Sequence, residues 1–249
     1  MTPPNHFLTG ADAYAAHRPT YPAAIAATLA ALCPTRRLAL DVGCGTGQMS
    51  VLLARHFDRV LATDSSPEQL AHATPHPKVA YQQARAEQAP APAHSVDLVV
   101  AAQAAHWFDL PAFYAAVRGM AAPGAVIALV TYGLMRIADP VDARFQRFYA
   151  AEMGPHWPPE RRQVETGYRD FAFPFAELAF PQSAIERDWT LDQLFGYVDT
   201  WSAARQARAG GAGGLIDGFK ADMRALWGDP ARTRRISWPL TGRIGRIAG

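Results

Sequence analysis

Leu38-Ala39-Leu40-Asp41-Val42-Gly43-Cys44-Gly45-Thr46-Gly47-Gln48 is an apolar strand that ends in a carboxylate and runs at once into a loop with glycine at every second position. Gly43, Gly45 and Gly47 have no Cβ and accept positive φ, so this loop can turn sharply and lay its backbone amides against a ligand. The pattern points to a nucleotide-like cofactor, and its spacing limits which one. A dinucleotide fingerprint G-x-G-x-x-G begun at Gly43 needs glycine at 48, where Gln48 stands. A phosphate loop begun there needs glycine at 48 followed by lysine, and the chain has Gln48-Met49. Neither pyrophosphate-type site is written here.

Outward from the loop the chain alternates strands and helices. Arg59-Val60-Leu61-Ala62-Thr63-Asp64 reads as a second strand whose last residue is an acid 23 positions after Asp41, near the step of about 20 residues that brings a carboxylate to a ribose. Ser66-Pro67-Glu68-Gln69 opens a helix with a capping serine, proline at the first helical position and glutamine at the third. Residues 79–84, 96–102 and 124–131 read as strands, and 22–32, 48–56 and 110–121 as helices. Such alternation predicts a parallel sheet covered on both faces. From 132 to 182 the chain turns aromatic, proline-rich and arginine-rich around a helix at 142–153, the expected form of a substrate cap. Residues 183–190 and 235–247 read as strands, and 191–204 and 215–227 as helices about a flexible glycine joint at 210–214. The organisation expected is one domain over 1–249, with a cofactor-binding core at 35–131, the cap at 132–182, and 183–249 completing the sheet.

With 249 residues, 49% apolar and a net charge of +2, the chain suits one α/β domain and carries no electrostatic case for nucleic acid. Its cations are 22 Arg and 2 Lys scattered along the chain. Cys33 and Cys44 make no disulfide framework, and no C-x-x-C or H-E-x-x-H pattern offers a metal site, so no metal is expected. A cytoplasmic protein without a membrane segment is expected, because no run approaches the ~20 apolar residues of a span.

Asp41-x-Gly43-x-Gly45-x-Gly47, with the acid at 64, resembles the first motif of class I S-adenosylmethionine-dependent methyltransferases. Tyr14-Ala15-Ala16-His17-Arg18-Pro19-Thr20-Tyr21-Pro22 and Ala101-Ala102-Gln103-Ala104-Ala105-His106-Trp107-Phe108-Asp109 extend the resemblance to a type 11 subgroup of small-molecule enzymes of the trans-aconitate kind. The resemblance implies a Rossmann-like α/β fold: a seven-stranded, mostly parallel sheet with helices on both faces, an antiparallel pair at its end, and a mainly helical cap inserted after strand five. It implies S-adenosyl-L-methionine as cofactor and S-adenosyl-L-homocysteine as product. Asp41, Gly43, Cys44, Gly45, Gly47 and Gln48 would wrap its methionine half, with Asp64 and Ser65 at the ribose. Ala86 and Glu87 would lie beside adenine, where Arg85 replaces the usual Asp or Ser. Gln103 would reach the methionine end, and Tyr14 and Arg18, in N-terminal helices over 1–34, would close the site.

His106 is the imidazole that the motif brings near the sulfonium, and it is expected to act in catalysis. Trp107, Tyr132, His156, Trp157 and Trp201 are expected to contact the acceptor. That acceptor is expected to be a small molecule methylated on a carboxylate or hydroxyl, with Arg136, Arg144, Arg161 and Arg162 as candidate anion ligands. A carboxylate needs no base, whereas a hydroxyl must lose a proton and would give His106 a task. No [DNS]-P-P-[YFW] segment follows strand four, so a flipped base is not the expected substrate. A monomer or homodimer is expected. Two other readings stay open: a non-catalytic protein that binds the cofactor on the same fold, and a nicotinamide-dependent oxidoreductase.

Overall fold

The computed structural model describes residues 19–138 and 140–248. Tyr14 and Arg18 fall outside them. The strands are β1 Leu38–Val42, β2 Arg59–Asp64, β3 Val79–Gln83, β4 Val96–Ala102, β5 Ala121–Tyr132, β6 Arg136–Ile137, β7 Ala176–Leu178, β8 Ala184–Trp189 and β9 Arg234–Arg246. The α-helices are α1 Ala23–Ala31, α2 Gln48–Leu53, α3 Pro67–Ala71, α4 Leu110–Met120, α5 Asp142–Arg147, α6 Arg161–Glu165, α7 Leu191–Asp199, α8 Ser202–Ala209 and α9 Gly213–Trp227. They divide into two compact units: a sheet unit of residues 20–134, 162–184 and 239–248, and a helical unit drawn from 135–138, 140–161 and 185–238.

In the sheet unit the parallel order is β3-β2-β1-β4-β5, with β9 antiparallel to β5 and β7 antiparallel to β9. Seven strands result, six of them at places where the sequence reads as a strand. Every residue of β1 is buried, as a strand covered on both faces requires. Its start is tied to β4 by Asp97, 2% exposed, whose carboxylate accepts from Arg37 N (2.7 Å), Leu38 N (3.1 Å) and Thr35 Oγ1 (2.5 Å). Helix α4 begins at the Asp109 cap, which accepts from Ala112 N, and buries Phe113, Tyr114, Val117 and Met120. Helix α3 has the expected cap, Ser66 Oγ accepting from Gln69 N at 3.2 Å.

The seventh strand of this unit is β7, inside the span expected as cap, whereas most of β8, the strand expected at 183–190, belongs to the helical unit. Three residues carry no periodicity. What holds them is tertiary: β7 pairs through its backbone, Arg243 binds Glu177, and Gly245 leaves room for the Phe173 ring and the Phe175 Cβ, each 2.7 Å from where a Cβ would sit.

The helical unit holds α5, α7, α8 and α9, with β6 and β8 pairing β9. The single helix expected at 142–153 becomes α5 followed by a π turn at Phe148–Glu152, which stacks Phe148 on Phe219 at 3.9 Å. The helix expected at 191–204 breaks into α7 and α8 at Trp201, an extended residue 5% exposed and packed among aromatic rings. Gly213 and Gly214 open α9 rather than loosening a joint. No helix among the described residues is long and apolar enough to cross a membrane.

Candidate active site

Asp41, the residue before the last of β1, lies between Ala62 of β2 and Val100 of β4, 1% exposed. Ser50 Oγ donates to its Oδ2 at 2.5 Å, and its Oδ1 has no hydrogen-bond partner among the described residues. Burial pushes its pKa up to about 7, against the opposing bond from Ser50 and with a smaller push from the Asp64 charge. A buried carboxylate oxygen without a donor is an acceptor waiting for one.

Gly43, Gly45 and Gly47 have φ of +67°, +55° and +82°, conformations that L side chains resist. Two of them are needed for different reasons. A Cβ at Gly47 would strike the Tyr81 ring, with Cζ at 2.8 Å, so packing inside the protein demands that glycine. A Cβ at Gly45 would meet nothing nearer than Gln69 Oε1 at 3.6 Å. A Cβ there would make only an ordinary contact.

Asp64, half-buried at the end of β2, fixes this loop: Oδ2 accepts from Gly45 N and Oδ1 from Ser66 N, both at 2.8 Å. Each carboxylate oxygen has a second lone pair, so the two backbone bonds leave acceptor capacity for a diol. Cys44 N donates to Thr63 O at 3.0 Å, and burial pushes the Cys44 thiol up from its ordinary value. Ser65 is exposed, its carbonyl bonded by Gln83 Nε2, and Gln48 is the half-buried first residue of α2.

Ala86 and Glu87 form a 3-10 turn after β3. The Glu87 carboxylate accepts from Asp109 N (3.0 Å) and pairs with Arg85 (3.2 Å), so it braces the segment after β4 while Arg85 points largely to solvent. Gln103, just past β4, is one of three non-glycine residues with positive φ among the described residues, at +56°. Its amide is committed to β5: Nε2 donates to Tyr132 O (2.8 Å) and Oε1 accepts from Thr131 Oγ1 (2.9 Å). Gln103 therefore ties two strand ends together. His106 follows in the 3-10 turn Ala105–Trp107, its ring 4.8 Å from Trp107, and its Nδ1 lies 3.0 Å from Tyr168 Oη. Tyr132 is buried with Tyr21 edge-on at 6.0 Å.

The remaining expected acceptor contacts belong to the helical unit. Trp157 and Trp201 lie 5.2 Å apart, with Tyr149 5.0 Å from Trp157 and 5.7 Å from Trp201. His156 ends the neighbouring 3-10 turn. Arg161 stacks over Trp157 (4.9 Å) and donates to Tyr149 Oη (2.8 Å). Arg144, 10% exposed, is held by Glu152 (2.9 Å) and Asp222 (2.8 Å), which commits it to the protein's own acids. Arg136 pairs with Asp142 and Arg162 with Asp170. No group of three His, Cys, Asp or Glu among the described residues could hold a metal.

Sequence reasoning missed Ser50 and Tyr168. Ser50 sits in the expected helix nine residues after Asp41, and its bond appears only once the loop folds back. Tyr168 lies 62 residues from His106 in a span with no periodic signal.

Residues 40–129 match a family model described as a methyltransferase domain. Over 193 residues the chain is 32% identical to a Dictyostelium discoideum protein named as a methyltransferase, covering 76% of this chain and 73% of that one. It is 26% identical over 178 residues to the Aspergillus candidus methyltransferase cfoB, covering 63% and 54%. A solved structure from Anaeromyxobacter dehalogenans named as a type II methyltransferase is 46% identical, with a TM-score of 0.88 over 93% of this chain and 98% of that one.

Proposed function

The chain belongs to the class I S-adenosylmethionine-dependent methyltransferases, and from that premise we propose that it transfers a methyl group by in-line displacement to the oxygen of a small-molecule carboxylate or hydroxyl. The observation that carries the cofactor part is the Asp64 carboxylate, held by Gly45 N and Ser66 N at the carboxyl end of β2 beside a glycine where a Cβ would meet nothing nearer than the Gln69 amide oxygen at 3.6 Å. Ligands of open parallel sheets bind at that edge. The residues fit the cofactor. Asp64 would accept the ribose hydroxyls, Gly45 would let the backbone approach, and the unpartnered Asp41 Oδ1 would accept a donor from the methionine end.

S-adenosylmethionine, when bound, supplies an activated methyl on a positively charged sulfur. The chain's own part is positioning and exclusion of water. Gln103, tied to the end of β5, would hold the β4 terminus rigid, and His106 beyond it would orient the acceptor or take its proton.

The test is calorimetric titration with S-adenosylhomocysteine and with NAD. Micromolar binding of the first, with a stabilisation of about 2.7 kcal/mol at a hundredfold excess over Kd, is the expected result. Binding of NAD alone would overturn the reading. Transfer of labelled methyl across a panel of small carboxylates, phenols and amines then identifies the acceptor, and labelling confined to amines would refute oxygen as its target.

A further inference from the structure

Between β3 and β4 the chain holds only the 3-10 turn Ala86–Gln88, where a parallel crossover usually carries a helix. Strand register sets Leu38 beside Arg59 and Leu61 beside Ala80, and alternation places all four on one face of the sheet. Leu61 is half-buried there and Ala80 exposed, in contrast to the fully buried β1. A groove of about 350 Å3 lies over this face, within the size range of small-molecule sites. Its other wall, Pro92 to Ser95, is held in place. Ser95 Oγ donates to Pro92 O (2.8 Å) and Ser95 N to Met120 O (2.9 Å), and His94 N, at φ +52°, donates to Gly119 O (3.3 Å).

The groove is lined by Arg37, Arg59 and His94 and by no acid. Backbone pairing brings the two arginines together, Arg59 N donating to Arg37 O at 3.1 Å. The Arg59 guanidinium and the His94 imidazole have no hydrogen-bond or ionic partner among the described residues. Arg37 stands 3.7 Å from Asp97, whose carboxylate already accepts from Thr35 Oγ1, Arg37 N and Leu38 N. Other guanidinium groups are matched: Arg144 to Glu152 and Asp222, Arg235 to Glu186 and Asp188, Arg243 to Glu177. Two neighbouring cations over an apolar floor create a positive potential that complements an anion, and their planar forks suit an oxyanion. This is not the cofactor edge. Leu38 and Arg59 begin their strands, whereas Gly43 and Asp64 lie at the carboxyl ends, a strand length of about 16 Å away.

We infer that this groove is a second ligand site, for a small organic anion with an apolar body. The body lies on Leu38, Leu61 and Ala80, and an oxyanion head, carboxylate or phosphate, is held by Arg37 and Arg59 with His94 beside it.

The experiment titrates the full 15N-labelled chain, loaded with S-adenosylhomocysteine, with 2-naphthoate and with 1-naphthyl phosphate, and follows the backbone amides by NMR. At least one of the two should shift the amides of Leu38, Leu61, Ala80 and Ser95 and saturate with a Kd below about 1 mM; the tighter one names the head. Arg59→Gln should raise that Kd about 5- to 10-fold, and Arg37→Gln with Arg59→Gln should remove saturation. Both side chains are exposed, so the variants should melt as wild type does. Uncharged 2-naphthamide should bind at least about tenfold more weakly, and so should inorganic phosphate, which lacks the body. Shifts confined to the glycine loop or to the helical unit overturn the inference, as do variants that bind like wild type, or naphthamide or inorganic phosphate binding as tightly as the naphthyl anions. A short single-stranded RNA that moves these amides while both naphthyl anions leave them unmoved would assign the face to nucleic acid and overturn it too.

Discussion

Asp64→Asn separates the two tasks that the geometry gives this residue. In the folded chain each carboxylate oxygen accepts one backbone N–H at 2.8 Å, from Gly45 and from Ser66. Asparagine keeps one acceptor oxygen and turns an NH2 toward the other N–H donor. One charge-assisted bond is lost, worth about 1.5 to 3 kcal/mol. Asp64 is only half-buried, which puts the expected loss of stability at the lower end of that range. If the same carboxylate also accepts the ribose hydroxyls, the affinity for S-adenosylhomocysteine should weaken by about 1 to 3 kcal/mol, roughly 5- to 150-fold in Kd. Urea unfolding without ligand measures the first effect. Calorimetry on the folded variant measures the second, because a domain with roughly 5 to 15 kcal/mol of stability remains folded after such a loss. A Kd unchanged within about twofold, next to a lowered urea midpoint, would make Asp64 a brace of the loop and refute its role at the ribose.

Ligand-free stability should fall as pH rises from about 4 to about 7. The folded Asp41 carboxyl titrates near 7 because of its burial and the unfolded one near 3.8, so between those values the native state holds a proton that the unfolded chain has released. The effect is on the order of 4 kcal/mol at most. Asp41→Asn, which keeps an acceptor for Ser50, should flatten the pH profile of the urea midpoint. Gly45→Ala and Gly47→Ala should part company: both meet positive φ, but only the second drives a Cβ into Tyr81. Melting temperatures should fall further for Gly47→Ala, while Gly45→Ala should lose mainly S-adenosylhomocysteine affinity in calorimetry. Asp97→Ala removes the acceptor of three hydrogen bonds at the start of β1, leaves buried donors unsatisfied, and should lower unfolding free energy by about 3 to 5 kcal/mol by denaturant titration.

The sheet of this protein was legible from residues 38–131 because parallel strands buried on both faces are mostly apolar, and β1, β4 and β5 are so apart from Asp41, Asp97 and Thr131 and the partly exposed start of β5. The turn of the glycine loop was legible for a related reason: positive φ at three positions leaves a mark in residue type. A local cap such as Ser66 acts within three residues, so its sequence and its geometry coincide. Tertiary structure alone decided where distant pieces meet. It made β7 the seventh strand, broke a helix at Trp201 to bury that ring, used the Gln103 amide to tie β4 to β5, and brought Tyr168 to His106. None of these follows from periodicity, because each is a contact between segments far apart in sequence, chosen by which packing fills the core and which donors and acceptors remain to be paired once the regular elements have formed.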